Sequence, residues 1–300
     1  MARPVHHVIL NATAGAGHAD QDQRTLEAAF AAHGLEARIH AVAAGDDLVA
    51  TAQRLIAAGA EVIVAAGGDG TVSAVASCVK GSGATMGVLP MGTLNHFARD
   101  LGMPSKLEDA VAVLARGSSV GVDLGEVNGR VFVNNASLGV YPDMVRDRER
   151  QQRRLGRGKW RAMVWAGLAT LRRSPFLRLT LEIEGRQAVH CRSPFVFVGN
   201  NDYVMEGFDI GARESLRGGR LSIYTTTRRT RLGLVALALR AVLGRLRQAR
   251  DFSTAAACRV RIDSPHRRLL VATDGEVTAM ETPLEFRVLP AALPVLAPSG

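Results

Sequence analysis

The residues whose types and spacing best suit chemistry lie in Glu61 to Thr71, EVIVAAGGDGT. Three glycines, Gly67, Gly68 and Gly70, surround one carboxylate, Asp69, directly after an apolar run. Glycine lets main-chain N–H groups approach a ligand closely, and a helix opening near Thr71 points its positive end at the same spot. This suits a phosphate group, with Asp69 serving a bound metal ion rather than the phosphate itself. Further along, the apolar segment Met86–Pro90 runs into Gly92 and Thr93, and Thr93, Asn95 and Arg99 crowd the start of another helix. Two such turns on successive strands put both helix N-termini at the carboxyl edge of one sheet, where open α/β sheets bind ligands. The pattern is neither a P-loop, which ends in Gly-Lys-Ser/Thr, nor GxGxxG. Taken alone, the first turn also fits a tight connection in which Asp69 merely caps the helix.

The elements that must position these turns follow from the periodicity. Strands are expected near 5–11, 36–42, 61–66 and 85–90, alternating with helices near 20–33, 46–59, 71–80 and 107–115. That alternation predicts a doubly wound α/β nucleotide-binding domain over residues 1–120. After Gly117 the pattern changes to strand-like segments at 119–126, 130–136, 177–184, 188–199, 220–227, 257–263, 267–273 and 284–289, with hairpin signals at Asn128-Gly129 and Glu184-Gly185. Residues 121–283 are therefore expected to form an antiparallel β-rich sandwich domain interrupted by two basic helices.

Charge patterning points to a surface. The chain of 300 residues carries a formal net charge of +9, and its positive residues concentrate in Arg146–Arg173 and Arg228–Arg250. The first block centres on Trp160, Met163, Val164 and Trp165; the second sets leucines and valines between arginines. Basic amphipathic helices of this kind favour anionic membrane surfaces, although either alone also fits a helix packed on the core with its arginines solvated. No nucleic-acid motif or interleaved aromatic series accompanies them, so nucleic acid is not expected as a partner. Three widely spaced cysteines, Cys78, Cys191 and Cys258, argue for a reducing compartment and against a disulfide framework or zinc cluster. The N-terminal apolar run reads as a first strand rather than a signal peptide, and no apolar run reaches the length of a membrane span. A cytoplasmic protein, peripherally associated with the inner face of the membrane, is the expectation. The assembly state is not fixed by these residues, and a homodimer is among the options.

GGDGT at 67–71 followed by GTLNHFARDLGMP at 92–104 resembles the catalytic domain shared by diacylglycerol kinases, sphingosine kinases and bacterial lipid kinases. The opening Val8–Gly15 segment is similar to the family's NPxSG strand with Ala12 in place of Pro, and Asp274-Gly-Glu276 matches its DGE motif. The resemblance covers nearly the whole chain. It implies a first domain like those of NAD kinase and phosphofructokinase, rejoined by residues 284–300. It implies ATP against Gly67, Gly68, Gly70, Thr71, Gly92, Thr93 and Asn95, with Asn11, Thr13 and Gly15 closing the site and Asp69 holding Mg²⁺ directly or through water. Glu276 is implied as the general base, and Asp274 and Asp123 as supporting carboxylates.

The implied function is ATP-dependent transfer of the γ-phosphoryl group to a primary hydroxyl of a membrane lipid, of diacylglycerol or sphingoid type. Two alternatives are a kinase of a soluble acceptor, as in NAD kinase, and a membrane-associated lipid- or nucleotide-binding protein with little turnover. The sequence departs from the family's pattern in three further places. His96 stands where an Asp is usual. Gly218 stands where many bacterial members place an Asp that binds a structural Mg²⁺, and Ala41 stands where a threonine is frequent.

Overall fold

The computed structural model describes residues 4–12, 19–42, 46–139, 176–203, 213–226 and 252–299. Thr13, Gly15 and both basic blocks lie outside the described residues. The chain divides into two units, one of Met1–Leu124, Ser215–Gly218 and Leu289–Gly300, the other of Gly125–Glu214 and Gly219–Val288.

The first unit is the α/β alternation. Its elements are β1 (His6–Asn11), α1 (Ala19–Ala32), β2 (Ala37–Val42), α2 (Asp46–Ala57), β3 (Val62–Gly67), α3 (Asp69–Val79), β4 (Thr85–Pro90), α4 (His96–Asp100), α5 (Leu107–Arg116) and the first part of β5 (Ser118–Val127). The strands pair in the order β2-β1-β3-β4, all parallel. Every residue of β3 is buried, as expected of a Val/Ile/Ala strand covered on both faces. α3 buries Thr71, Val72, Val75, Ala76 and Val79, the spacing of one helical face. β3 and α3 meet at Gly68, which fixes the first glycine turn at the carboxyl end of a central strand.

The second unit contains β6 (Arg130–Phe132), β7 (Asn135–Gly139), β8 (Leu177–Ile183), β9 (Val189–Ser193), β10 (Phe195–Asn200), β11 (Leu221–Thr226), β12 (Phe252–Ala257), β13 (Arg259–Asp263), β14 (Arg268–Thr273) and β15 (Glu276–Glu281). One sheet runs β12-β11-β10-β7-β14-β15, antiparallel throughout. In the other, β13 lies between β8 and the start of β16 (Leu284–Ala297), with β9 outside β8. Phe132, Leu138, Leu181, Val198, Ile262 and Phe286 belong to the shared apolar core of this sandwich. β16 serves both units: Leu284 to Arg287 pair with β13, and Val295 pairs in parallel with Met86 of β4.

Four segments differ from the sequence expectation. The run 130–136 is broken at Val133 and Asn134, whose amides turn to a carboxylate described below. The run 188–199 is two strands separated at Pro194, a residue with no N–H for a ladder. β12 and β15 carry few apolar residues in alternation, FSTAAA and EVTAME, and take their strand form from their neighbours. Among the described residues no helix is long and apolar enough to cross a membrane.

The first strand carries an unusual histidine load. His6 is buried and tilted against Phe30, with ring centroids 5.7 Å apart. His7 stacks on His40 of β2, with Nδ1 and Nε2 3.2 Å apart. Burial holds all three imidazoles below the usual 6.5, with nearby positive charge on Arg38 acting in the same direction on His7 and His40. A folded state that resists protonation loses stability as pH falls, so their contribution is complete above 6.5 and declines as pH drops through the depressed folded values. Urea unfolding should show lower stability at about pH 5.5 than at about pH 7.5, and a smaller difference in His6→Gln. Equal stability at both pH values would contradict this account.

Candidate functional site

The two glycine turns of the first unit are joined by direct contacts. A Cβ on Gly92 would lie 2.3 Å from the Gly68 Cα, so the turns touch backbone to backbone at a point only glycine allows. The Asp69 carboxylate then spans them: Oδ2 accepts the His96 N–H and Oδ1 the Phe97 N–H, both at 3.1 Å. Asp69 thereby caps α4 from the first residue of α3. Asn95, at φ 50, closes its own turn: its Oδ1 accepts the Gly92 N–H and its Nδ2 donates to the Gly92 carbonyl, each at 2.9 Å. The brace is independent of the side chain at His96, which instead meets Arg99 at 3.1 Å. Thr93 and Leu94 are exposed at the tip of this turn.

Thr71 faces inward. Its hydroxyl accepts a bond from Asn11 Nδ2 at 3.1 Å, and a Cβ on Gly67 would lie 2.4 Å from it. Asn11, Gly67 and Thr71 therefore form one packed knot behind the turn. Gly70 differs: a Cβ there would meet nothing within 4 Å. Packing does not require glycine at this position, whereas a ligand lying over the first turn of α3 would. Gly68 has no side chain to cap that turn, and uncapped helix N-termini bind phosphate through main-chain N–H groups and the helix dipole.

A cation at this site would find one carboxylate, both of whose oxygens already accept amides. Among the described residues no group of three or more His, Cys, Asp or Glu is placed to hold a metal ion. The residues present fit Mg²⁺ carried on phosphate oxygens and water, with Asp69 reached through water.

The other three motif carboxylates divide between the units. Asp123, 3% exposed, is in the first. It accepts the N–H of Ala291 at 2.8 Å, and its own N–H donates to Leu216. It thus fastens two returning segments to β5. Asp274 and Glu276 are in the second unit, on the β14–β15 turn. Asp274, at φ 47, accepts three consecutive amides, from Val133 at 2.7 Å, Asn134 at 2.8 Å and Asn135 at 3.1 Å. Glu276 projects from the first position of β15 with its side chain 62% exposed, paired through Oε2 with Arg130.

The sequence reading missed the cations of the second unit. Arg213, buried, donates to the Val133 carbonyl at 2.7 Å and to Asn134 Oδ1 at 2.8 Å, and lies over the Tyr203 ring. With Asn200 Nδ2 on the Val133 carbonyl and the Tyr203 hydroxyl on the Asn134 carbonyl, it holds the same loop that Asp274 holds through its amides. Asn200 and Tyr203 are therefore parts of this lock. No local signal marks Arg213 or Arg130, because their partners are distant in sequence.

The diacylglycerol kinase catalytic domain matches residues 6–127. The YegS C-terminal NAD kinase beta sandwich-like domain matches residues 136–297. The chain belongs to the family that these two domains define, a diacylglycerol kinase catalytic domain followed by a YegS-type C-terminal domain. A diacylglycerol kinase of Staphylococcus saprophyticus is 35% identical over 108 residues, 35% of this chain and 35% of that protein. One of Staphylococcus aureus strain JH9 is 37% identical over 108 residues, 35% of this chain and 34% of its own length. The match thus spans about a third of the curated relatives' length. A crystal structure of a diacylglycerol kinase from Bacillus anthracis superposes with a TM-score of 0.71 at 19% identity, over 98% of this chain and 96% of that one. That likeness shows the fold.

Gly70→Ala separates a ligand role from a packing role. Alanine should leave the fold intact and stabilise α3 by about 0.5–1 kcal/mol. Binding of ATP, measured by calorimetry, should weaken about tenfold or more through loss of one main-chain contact to an anion. Unchanged ATP affinity would remove Gly70 from the site.

Proposed function

We propose that this chain is an ATP-dependent phosphotransferase that moves the γ-phosphoryl group to a primary hydroxyl of a membrane lipid, of diacylglycerol or sphingoid type. The observation that carries the reading is the joined pair of glycine turns. Asp69 locks them together while the first turn of α3 and the open face of Gly70 stay available to a triphosphate. Gly68, Gly70, Gly92 and Thr93 contact the phosphates in this reading, and Asn11, Gly67, Thr71 and Asn95 shape the cradle from behind. Bound on the triphosphate, Mg²⁺ would neutralise charge on the phosphate oxygens, and Asp69 is the residue that would hold it through water.

Glu276 is the general base of the proposal. It is the exposed member of the motif carboxylates, whereas Asp123 and Asp274 are committed to main-chain amides. Its free oxygen takes the proton of the acceptor hydroxyl as that oxygen attacks the γ-phosphorus, and the bond to the β–γ bridging oxygen breaks to release ADP. Asp274 holds the turn from which Glu276 projects, and Asp123 holds the segment returning at Ala291. A soluble acceptor of the NAD kinase kind is not favoured by the diacylglycerol kinase relatives. The arginine-flanked blocks at 146–173 and 228–250 support access to a lipid at the inner face of the membrane, and no nucleic acid enters the scheme.

The test is labelled phosphate transfer from ATP with Mg²⁺ onto a total lipid extract in mixed micelles. Intact protein should label a lipid, and Glu276→Gln should lower the rate by about 10²- to 10⁴-fold with ATP binding retained. A Glu276→Gln variant of full activity would remove the base. Intact protein that binds ATP yet labels no lipid would remove the acceptor class.

A further inference from the structure

The hairpin joining β5 to β6 turns at Asn128 and Gly129, both with positive φ, 46 and 84. This is the geometry of a two-residue turn between antiparallel strands. Asn128 also ties that turn to a second one. Its Nδ2 donates to the carbonyls of Glu281 at 3.0 Å and Pro283 at 3.3 Å, and its Oδ1 accepts the Glu285 N–H at 2.8 Å. Its own N–H donates to the Glu285 carbonyl at 3.2 Å. The hairpin is therefore fixed to the corner between β15 and β16.

Arg130 is the first residue after the turn, and its guanidinium inherits that fixed position. Nη1 donates to Thr278 Oγ1 at 2.9 Å, and Nη2 to Glu276 Oε2 at 2.5 Å. Glu276 and Thr278 are two apart on one strand, so both side chains lie on the same face. The planar fork of an arginine matches two acceptors at once, which an ammonium does not. Glu276 Oε1 has no hydrogen-bond partner among the described residues.

We propose that Arg130 is a positioning residue for Glu276, selecting one carboxylate rotamer and leaving Oε1 as the oxygen that receives the acceptor proton. The proposal rests on Glu276 being the base, as read above. Folding alone gives little reason for the contact. The two side chains are 39% and 62% exposed, and ion pairs this exposed contribute little to stability. A base, however, must lie within hydrogen-bond reach of the proton it takes, and a free glutamate divides its time among many rotamers.

Arg130→Met, Arg130→Lys and Glu276→Gln are compared by transfer from ATP with Mg²⁺ to diacylglycerol in mixed micelles, alongside thermal melts. Arg130→Met should lower kcat about 10- to 100-fold, with the KM for ATP within about twofold and Tm unchanged. Arg130→Lys, which reaches one partner, should fall between Arg130→Met and the parent. If Arg130→Met keeps kcat within about twofold while Glu276→Gln abolishes transfer, the inference falls and the base assignment stands. A loss in Arg130→Met that comes with a lower Tm or a raised ATP KM overturns it equally. Full transfer by Glu276→Gln overturns both. Should intact protein not phosphorylate diacylglycerol, the same ratios are read on ATP hydrolysis, where water replaces the alcohol. Absence of both activities also overturns both readings.

Discussion

A carboxylate that accepts main-chain N–H groups is the device on which this structure depends, and three of the motif carboxylates serve in this way. Asp69 takes two amides of the second glycine turn, Asp123 one amide of the returning C-terminal segment, and Asp274 three amides of the 133–135 loop. Bonds with one charged partner are stronger than neutral ones. A buried amide left without its acceptor also costs about 1–3 kcal/mol. Each carboxylate therefore satisfies main-chain amides where regular structure starts or is interrupted: the first residues of α4, the entry to β7, and Ala291 of β16 at φ 48. An asparagine at Asp274 would keep the shape but present one oxygen where two now accept three donors.

This use of the charges divides the motif residues by what remains free. Asp69 and Asp274 stand in sequences that suggest metal and base chemistry, yet their oxygens are turned toward backbone. Glu276, two residues beyond Asp274, faces solvent and a cation. The neighbouring motif positions thus differ: Asp274 builds the turn, and Glu276 projects from it. Gly67, Gly92 and Gly70 divide in the same way. The first two are demanded by Thr71 and by the Gly68 backbone, and the third by nothing in the fold.

Much of this was legible in the sequence, and the limits have physical causes. The parallel α/β unit follows from local periodicity: β3 is a run of Val, Ile and Ala, and α3 repeats its apolar residues at helical spacing. Both glycine turns were visible because a turn's chemistry is local. What was not legible depends on partners far along the chain. Arg130 meets Glu276 across 146 positions, Arg213 meets Asn134 across 79, and Asp69 meets Phe97 across 28. No pattern within a few residues records such contacts. β12 and β15 were missed for the related reason that their form comes from the strands beside them.

The departure at Gly218 is best understood through charge. Many bacterial members of the family place a carboxylate there for a structural Mg²⁺, and this chain has arginines on either side instead, Arg217 and Arg220. In the second unit the Arg220 guanidinium donates through Nε and Nη2 to Asp202 Oδ2, the Nε contact being 2.8 Å. Arg220 also lies in the backbone pairing that seats Asn201, whose N–H donates to the Arg220 carbonyl. A cation attached to the chain cannot be lost by dilution or chelation, whereas an exchangeable ion can. The pair is roughly half exposed on both sides, so its direct contribution is about 0–1 kcal/mol. Its value is geometric: Asp202, just beyond the end of β10, receives a fixed positive partner.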